Sequence, residues 1–234
     1  MIRMTWFHLQ MYMRKYKFVP PAGCYILFLC LNYSIAPNPI ESSFGSTMVL
    51  NFLLMGWFTL SFMQSQSDAQ QVISSLHMKN ATTFYVSHYL FLLVLALLLS
   101  LTTVCFPVLT GAFDQTIGVD VFLFALFNHV IITFLSATIA MLFSKNIMRK
   151  PSHSWPGLVL TLIGLLAIAS IETHSPFSVL SYILPPIGLL LHMMNEGVSS
   201  IIRLSTIMVY VLSIFYSMAL MIIGISIVKK KDIL

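Results

Sequence analysis

The polar side chains that could carry chemistry are few, and they lie inside long apolar stretches. Asn128 and His129 are adjacent in the middle of one such stretch, between Phe127 and Val130. Polar residues at that depth of a membrane usually face other protein segments or a cavity. The pair could therefore line a transport path and relay protons, or it could form hydrogen bonds that hold helices together.

A second polar group follows the double proline Pro185-Pro186. His192 and Glu196 are four residues apart and therefore share one face of a helix. They could form a gate or exit for a substrate, or they could be the end of an apolar hairpin that reaches headgroup water. Motifs of phosphate loops, zinc proteases and serine hydrolases are absent from the sequence. We therefore predict no catalytic and no metal-binding residues, and a protein that is not an enzyme.

The composition explains why these polar residues stand out. The chain has 234 residues, of which 58% are hydrophobic and only 8% are charged. Soluble domains carry about 25% charged residues, so a soluble globular protein is excluded, and the high hydrophobicity excludes disorder. About 20 apolar residues cross a bilayer as one helix, which leaves room for about six or seven crossings but for no separate nucleotide-binding domain. We expect an all-α, multi-pass membrane protein whose energy source is a partner chain or an ion gradient.

The hydropathy pattern predicts six membrane spans preceded by an interfacial helix. Residues 2–17 carry apolar side chains at alternating steps of four and three, with a polar and basic stripe beside them, which is typical of a helix that lies on the membrane. Pro20-Pro21 is expected to end this helix and turn the chain into the bilayer. The predicted spans are residues 18–36, 44–63, 84–108, 120–143, 155–171 and 204–228.

The distribution of charge predicts the topology. Eleven of the twelve Lys and Arg residues lie at the two termini or in the loops 64–83 and 144–154, whereas Arg203 lies alone on the other side. By the positive-inside rule, both termini are cytoplasmic, with residues 229–234 as a basic tail. The net charge of +5 therefore needs no nucleic-acid partner.

The apolar segment 175–197 could be a seventh membrane span, but a span there would reverse the charge asymmetry. Pro185-Pro186 lies near the middle of the segment and disfavours a continuous helix. Broken backbone is tolerated at membrane depth where protein buries it. We therefore expect residues 172–203 to form a re-entrant or outer-leaflet hairpin before the last span.

A short amphipathic helix is predicted within the cytoplasmic loop 64–83. Ser67 and Gln70 match a capping box, and Asp68 suits the positive end of a helix. A helix so short is marginal alone, so its apolar face needs the membrane, the chain's own spans or a soluble partner to pack on. The predicted helix covers residues 68–77, and its apolar residues are Ala69, Val72, Ile73 and Leu76.

Together these elements make the chain resemble the permease subunit of an ABC-2 type exporter over nearly its whole length. The resemblance rests on architecture: an interfacial helix, a lone helix between spans two and three, six spans, and a broken apolar segment before the last span. The small size and the Met- and Phe-rich composition are similar to permeases of Gram-positive peptide exporters, such as those for phenol-soluble modulins or bacteriocin immunity. The chain departs from that pattern in having Lys79 as the sole basic residue of the 64–83 loop.

This resemblance implies partners and a location as well as a fold. Residues 2–17 would be the elbow helix, and residues 68–77 the coupling helix that docks in a groove of a separate ATP-binding cassette subunit. ATP and Mg would bind to that subunit, with no cofactor in this chain. A second permease chain, identical or related, would complete a path for an amphipathic peptide or toxin across the bacterial cytoplasmic membrane. The coupling residues would be Ser67, Asp68, Ala69, Val72, Ile73 and Leu76.

Two other classes of function remain open. A gradient-driven secondary transporter of a small hydrophobic or cationic solute would use His129 or Glu196 as the ion-linked group, but the inverted repeat typical of that class is not apparent. An intramembrane enzyme would need paired carboxylates, a Ser/Lys or His/Asp set, or a metal cluster in the bilayer. The sequence supplies none of these. A membrane scaffold without catalytic activity belongs to this same class.

Overall fold

The computed structural model describes residues 2–76, 78, 80–148, 151–170, 184–196 and 204–232. Over these ranges the chain is all-helical, as predicted, apart from one isolated bridge between Asn38 and Phe113. The helices are α1 (Ile2–Arg14), α2 (Val19–Asn32), α3 (Ile40–Ser65), α4 (Asp68–Leu76), α5 (Ala81–Thr110), α6 (Val119–Leu142), α7 (Ser154–Ala169), α8 (Ile187–Glu196) and α9 (Leu204–Asp232).

Four of these helices, α3, α5, α6 and α9, are long and apolar enough to cross a membrane. They support a multi-pass membrane protein. The helices at the predicted first and fifth spans, α2 and α7, are apolar but have only 14 and 16 residues. At about 1.5 Å per residue they cover about 21 and 24 Å, less than the ~30 Å hydrocarbon core of a bilayer.

The junction between α1 and α2 differs from the prediction. Helix α1 ends at Arg14, three residues before the predicted end, and the chain turns over residues 15–18, where Tyr16 has a φ of 53°. Pro20 and Pro21 lie in the first turn of α2. Prolines suit this place because the amides of a first turn have no intrahelical acceptor. The prediction that the prolines end α1 is therefore wrong, since they begin the next helix.

One end of the bundle collects positive charge, and we call it the basic end. Lys17 at the start of α2 donates to the Gln64 carbonyl (2.8 Å), and Lys145 after α6 donates to the Gln66 carbonyl (2.5 Å). A small apolar cavity there joins the start of α5 to the end of α9. The described basic residues of this end are Arg3, Arg14, Lys15, Lys17, Lys145, Lys229, Lys230 and Lys231.

The opposite end carries acidic residues, and we call it the acidic end. The Asn38 amide donates to the Ala112 carbonyl (2.9 Å), which ties the loop before α3 to the loop after α5. A Cβ on Gly45 would lie 2.7 Å from Asn195 Oδ1, so α8 also ends here. Within the described ranges this end holds no Lys or Arg, and its acidic residues are Glu41, Asp114, Asp120 and Glu196. The described Lys and Arg residues thus lie at one end of the bundle, which is the distribution that the positive-inside rule predicts for a cytoplasmic end.

Two apolar clusters form the interior, and α3 contributes to both. One cluster packs α1, α2 and α5 on the second half of α3, around Phe62 and Phe91, whose ring centroids are 4.4 Å apart. The other packs α6, α7 and α8 on the first half of α3, around Phe44 and Leu190. Helices α5 and α9 leave long apolar faces exposed, as lipid-facing helices do.

The segment before the last span is broken where the sequence predicts a break. Helix α8 begins at Ile187, directly after Pro185-Pro186, and Gly188 packs so closely on α7 that a Cβ would lie 3.1 Å from Ala169 Cα. Residues 171–183 and 197–203 lie outside the described ranges. The re-entrant hairpin itself therefore stays a prediction.

Candidate functional site

The capping box of α4 is formed as predicted. The Gln70 amide donates to Ser67 Oγ (3.3 Å), and the Ser67 amide donates to Gln70 Oε1 (3.2 Å). Two amides that a helix start would leave without partners are thereby satisfied. Helix α4 begins at Asp68 and ends at Leu76, one residue before the predicted end.

Three of the four residues of the predicted apolar face of α4 are exposed, and the side chain of the fourth, Leu76, lies outside the described part of the structure. Val72 and Ile73 are 58% and 57% exposed, and Ala69 is exposed beside them. On the other side of the helix, Lys15 Nζ donates to Gln70 Oε1 (3.4 Å) and ties α4 to the end of α1. The sequence allows three surfaces to cover the apolar face of α4: the membrane, the chain's own spans or a soluble partner. The chain's own spans leave more than half of Val72 and Ile73 exposed, so the membrane and a partner protein are the two that can cover them.

Next to α4 lies a buried polar junction that the sequence analysis missed. Gln66 is the residue before the cap, and its side chain is buried. Its Nε2 donates to His8 Nδ1 on α1 (3.4 Å), and its Oε1 lies 3.0 Å from His88 Nε2 on α5. Its backbone carbonyl accepts from Lys145. We call Gln66, His8 and His88 the glutamine junction; it joins α1, the α3–α4 connection and α5.

The two imidazole rings of the junction stack on each other and sit in an aromatic shell. Their centroids are 4.4 Å apart, and Phe62 and Phe84 meet them mainly edge-on at 4.7 to 6.2 Å. Burial lowers the pKa of His8 to about 4, because the imidazolium would lose its water shell there. His8 is therefore neutral at neutral pH.

The hydrogen-bond roles in the junction depend on one another. His8 accepts at Nδ1, so its Nε2 carries the proton and donates to Ser87 Oγ (3.0 Å). Both ring nitrogens of His88 face acceptors, the Phe84 carbonyl (3.1 Å) and Gln66 Oε1 (3.0 Å). A neutral imidazole has one N–H, so it can use only one of them. The tautomer of His88 and the orientation of the Gln66 amide therefore depend on each other.

The face of α1 that packs on the bundle is His8, Met11 and Tyr12. The Tyr12 hydroxyl bonds with Ser61 Oγ on α3. The spacing of three and four residues between these side chains is the sequence pattern that could have predicted this buried face. The pattern is hard to recognise because the apolar stripe beside it is longer. That stripe is mostly exposed, at Ile2, Trp6, Met13 and Tyr16.

The polar pair of α6 is fully buried and bonded to neighbouring helices. His129 Nδ1 donates to the Ala125 carbonyl (2.7 Å), and its Nε2 accepts from Thr47 Oγ1 on α3 (3.1 Å). Asn128 Nδ2 donates to the Tyr210 hydroxyl on α9 (3.1 Å). These contacts favour the interpretation that the pair holds helices together. Within the described ranges both side chains are fully buried, and their role in lining a transport path stays a prediction.

The second polar group lies at the acidic end. His192 and Glu196 share one exposed face of α8, with 3.5 Å between His192 Nδ1 and Glu196 Oε1, while Leu190 and Met194 are buried on the other face. Pro185 and Pro186 directly precede α8; Pro185 is half-buried and Pro186 is buried. The role of this exposed pair as a gate stays a prediction.

The predicted site residues thus fall into three separate places. The residues of α4 and the glutamine junction lie at the basic end, the α6 pair in the middle, and the α8 pair at the acidic end. Within the described ranges, no three His, Cys, Asp or Glu side chains come together as metal ligands would. Comparisons with protein families, with curated proteins and with solved structures find no match for the chain.

Proposed function

We propose that this chain is the permease subunit of an ABC-2 type exporter. It moves an amphipathic substrate, a peptide or toxin, out of a bacterial cell, and ATP is hydrolysed in a separate subunit. The observation that carries the proposal is α4, a capped helix at the basic end that connects two membrane helices and exposes Ala69, Val72 and Ile73. The ATP-binding subunit is the partner that covers this face.

The composition of α4 favours a protein groove over a membrane surface. Helices that lie on membranes usually combine Lys or Arg with Trp, Phe or Leu. Helix α1 does so, with Arg3, Trp6 and Phe7 exposed. The sequence of α4, DAQQVISSL, has no basic and no aromatic residue. The apolar face of α4 is also narrow and aliphatic, which suits a helix that sits in a groove.

The proposed topology has six spans, with both termini in the cytoplasm and α1 as the elbow helix. Helices α2 and α7 serve as the two short spans. A Cβ on Gly56 of α3 would lie 2.6 Å from Leu162 of α7, so these helices pack side by side. By contrast, α8 begins beside Ala169 and ends beside Gly45, both near the acidic end. This supports α8 as part of a re-entrant segment that does not cross the membrane.

The exposed apolar faces leave room for a second permease chain. Helix α9 exposes Ile207, Val211, Phe215 and Met218, and α2 exposes Ile26 and Leu27. Lipid and a second copy or a related chain would share these faces. The proposed substrate path lies between the two chains, because packed apolar side chains fill the interior of the described part of one chain.

Charged substitutions on α4 test the proposal. The chain would be expressed with a tag together with its neighbouring reading frames, and ATP-binding cassette proteins that co-purify with it would be identified. Val72→Glu and Ile73→Glu should abolish recovery of the ATPase. Gln70→Glu is the matched control, because it adds the same charge to α4 but keeps the cap acceptor, and it should retain the ATPase. Retention by all three variants, with ATP-dependent transport intact, would refute the role of α4.

A further inference from the structure

Gln66 occupies the point through which α4 is connected to the rest of the bundle. We infer that Gln66 is a positioning residue that transmits movement of α4 to α1 through His8 and to α5 through His88. The inference rests on the proposed function, because the movement it transmits is the one an ATP-binding subunit would impose on α4. It goes further in naming the residues that carry that movement.

The position of Gln66 in the chain makes it the first residue to move with α4. Helix α3 ends at Ser65, and Ser67 is the cap of α4, so Gln66 alone separates them. Its backbone is extended, with φ of −84° and ψ of 125°. One peptide bond joins Gln66 to the cap Ser67, so a shift of α4 as a whole pulls directly on Gln66.

The side chain of Gln66 holds both neighbouring helices. One amide group contacts His8 on α1 and His88 on α5, residues that are 58 and 22 positions away. All three side chains are buried. Breaking these contacts would leave buried imidazole nitrogens without partners, which is costly. The ends of α1 and α5 should therefore follow Gln66 when α4 moves.

The described hydrogen bond between α4 and the end of α1 is weaker than those of Gln66. Lys15 reaches Gln70 at 3.4 Å in an exposed position, where water can replace the contact. The stacking of the His8 and His88 rings adds a direct link between α1 and α5. The junction thus behaves as one body, in agreement with the coupled hydrogen-bond roles of its members.

Hydrogen exchange of the complex tests this inference without knowledge of the substrate. The permease and its ATPase would be reconstituted in nanodiscs and compared before and after trapping with ATP and vanadate. In the unmodified complex, trapping should change amide exchange in α4, in α1 and at the start of α5. In Gln66→Leu the change should stay within α4, although the ATPase still binds. Ser61→Ala is the control, because it loosens α1 at Tyr12 but leaves the junction intact, so it should behave like the unmodified chain.

Variants of the two histidines separate transmission from general loosening. His8→Leu should remove the change in α1 but keep it in α5. The double variant His88→Leu/Ser87→Ala, which also removes the contact of His8 with α5, should do the reverse. These variants also serve if Gln66→Leu fails to fold. The inference would be overturned if trapping changed amide exchange in both α1 and α5 in every variant. It would also be overturned if Ser61→Ala confined the change to α4. Failure of the unmodified chain to bind the ATPase would instead overturn the proposed function and, with it, this inference.

Discussion

Removing the cap of α4 should weaken binding of the proposed ATP-binding subunit. Helix α4 has nine residues, which is too short for stable helix formation in water. It is held by the two reciprocal bonds of Ser67 and Gln70 and by the exposed contact with Lys15. The cap therefore supplies much of the free energy that keeps α4 helical before the partner binds.

The size of the effect follows from the number of bonds removed. Ser67→Ala deletes one cap acceptor, and such a change costs about 1 kcal/mol of helix stability. If the partner binds only the helical form, the dissociation constant should rise about fivefold, since about 1.4 kcal/mol corresponds to a factor of ten. The double variant Ser67→Ala/Gln70→Ala removes both reciprocal bonds, so it should cost about 2 kcal/mol and weaken binding about 30-fold.

The assay is a titration of the purified ATPase against the permease in nanodiscs, with binding followed by interferometry. Ser67→Thr keeps the hydroxyl acceptor and is the matched control, so its affinity should stay within about twofold of the unmodified chain. Equal affinity of the unmodified chain and both alanine variants would show that α4 does not depend on its cap. The argument that α4 is a marginal helix ordered for docking would then be refuted.

Three further predictions concern stability in detergent, followed by thermal unfolding. The pKa of His8 is about 4 in the folded chain and about 6.5 in the unfolded chain. The free energy of unfolding should therefore be highest above pH 6.5 and fall as the pH is lowered, by about 2 kcal/mol at pH 5. His8→Phe should remove this part of the pH dependence. Thr47→Val deprives His129 of its donor and should cost roughly 1 kcal/mol, whereas an unchanged midpoint would show that the bond contributes nothing. Gly188→Val should push α8 away from Ala169 and cost about 1–3 kcal/mol, and Gly188→Ala should cost less.

The local signals in the sequence were sufficient where short-range physics decides the structure. The cap of α4 needs only Ser67 and Gln70, three residues apart, so the pattern predicts the bonds directly. The break at Pro185-Pro186 is equally local, because proline cannot continue a hydrogen-bonded helix. Long apolar runs likewise predicted α3, α5, α6 and α9.

The glutamine junction could not be predicted in the same way, because long-range packing creates it. Gln66 looks like an ordinary polar residue before a cap, and its burial depends on α1 folding back over α5. The length of α2 was also overestimated. Hydropathy continues through Ile35, but α2 ends at Asn32, since Pro37 and Pro39 lack amide donors and Asn38 instead pairs with Ala112.

We propose that the exposed face of α4 is the docking site of an ATP-binding subunit. The most direct test of this proposal is a photo-cross-linking amino acid placed at Val72 in living cells, with the same probe at the exposed Ile26 of α2 as the control. The account predicts a cross-link from position 72 to an ATP-binding cassette protein, and none from position 26. Cross-links from position 72 only to lipid or to this chain itself would contradict it.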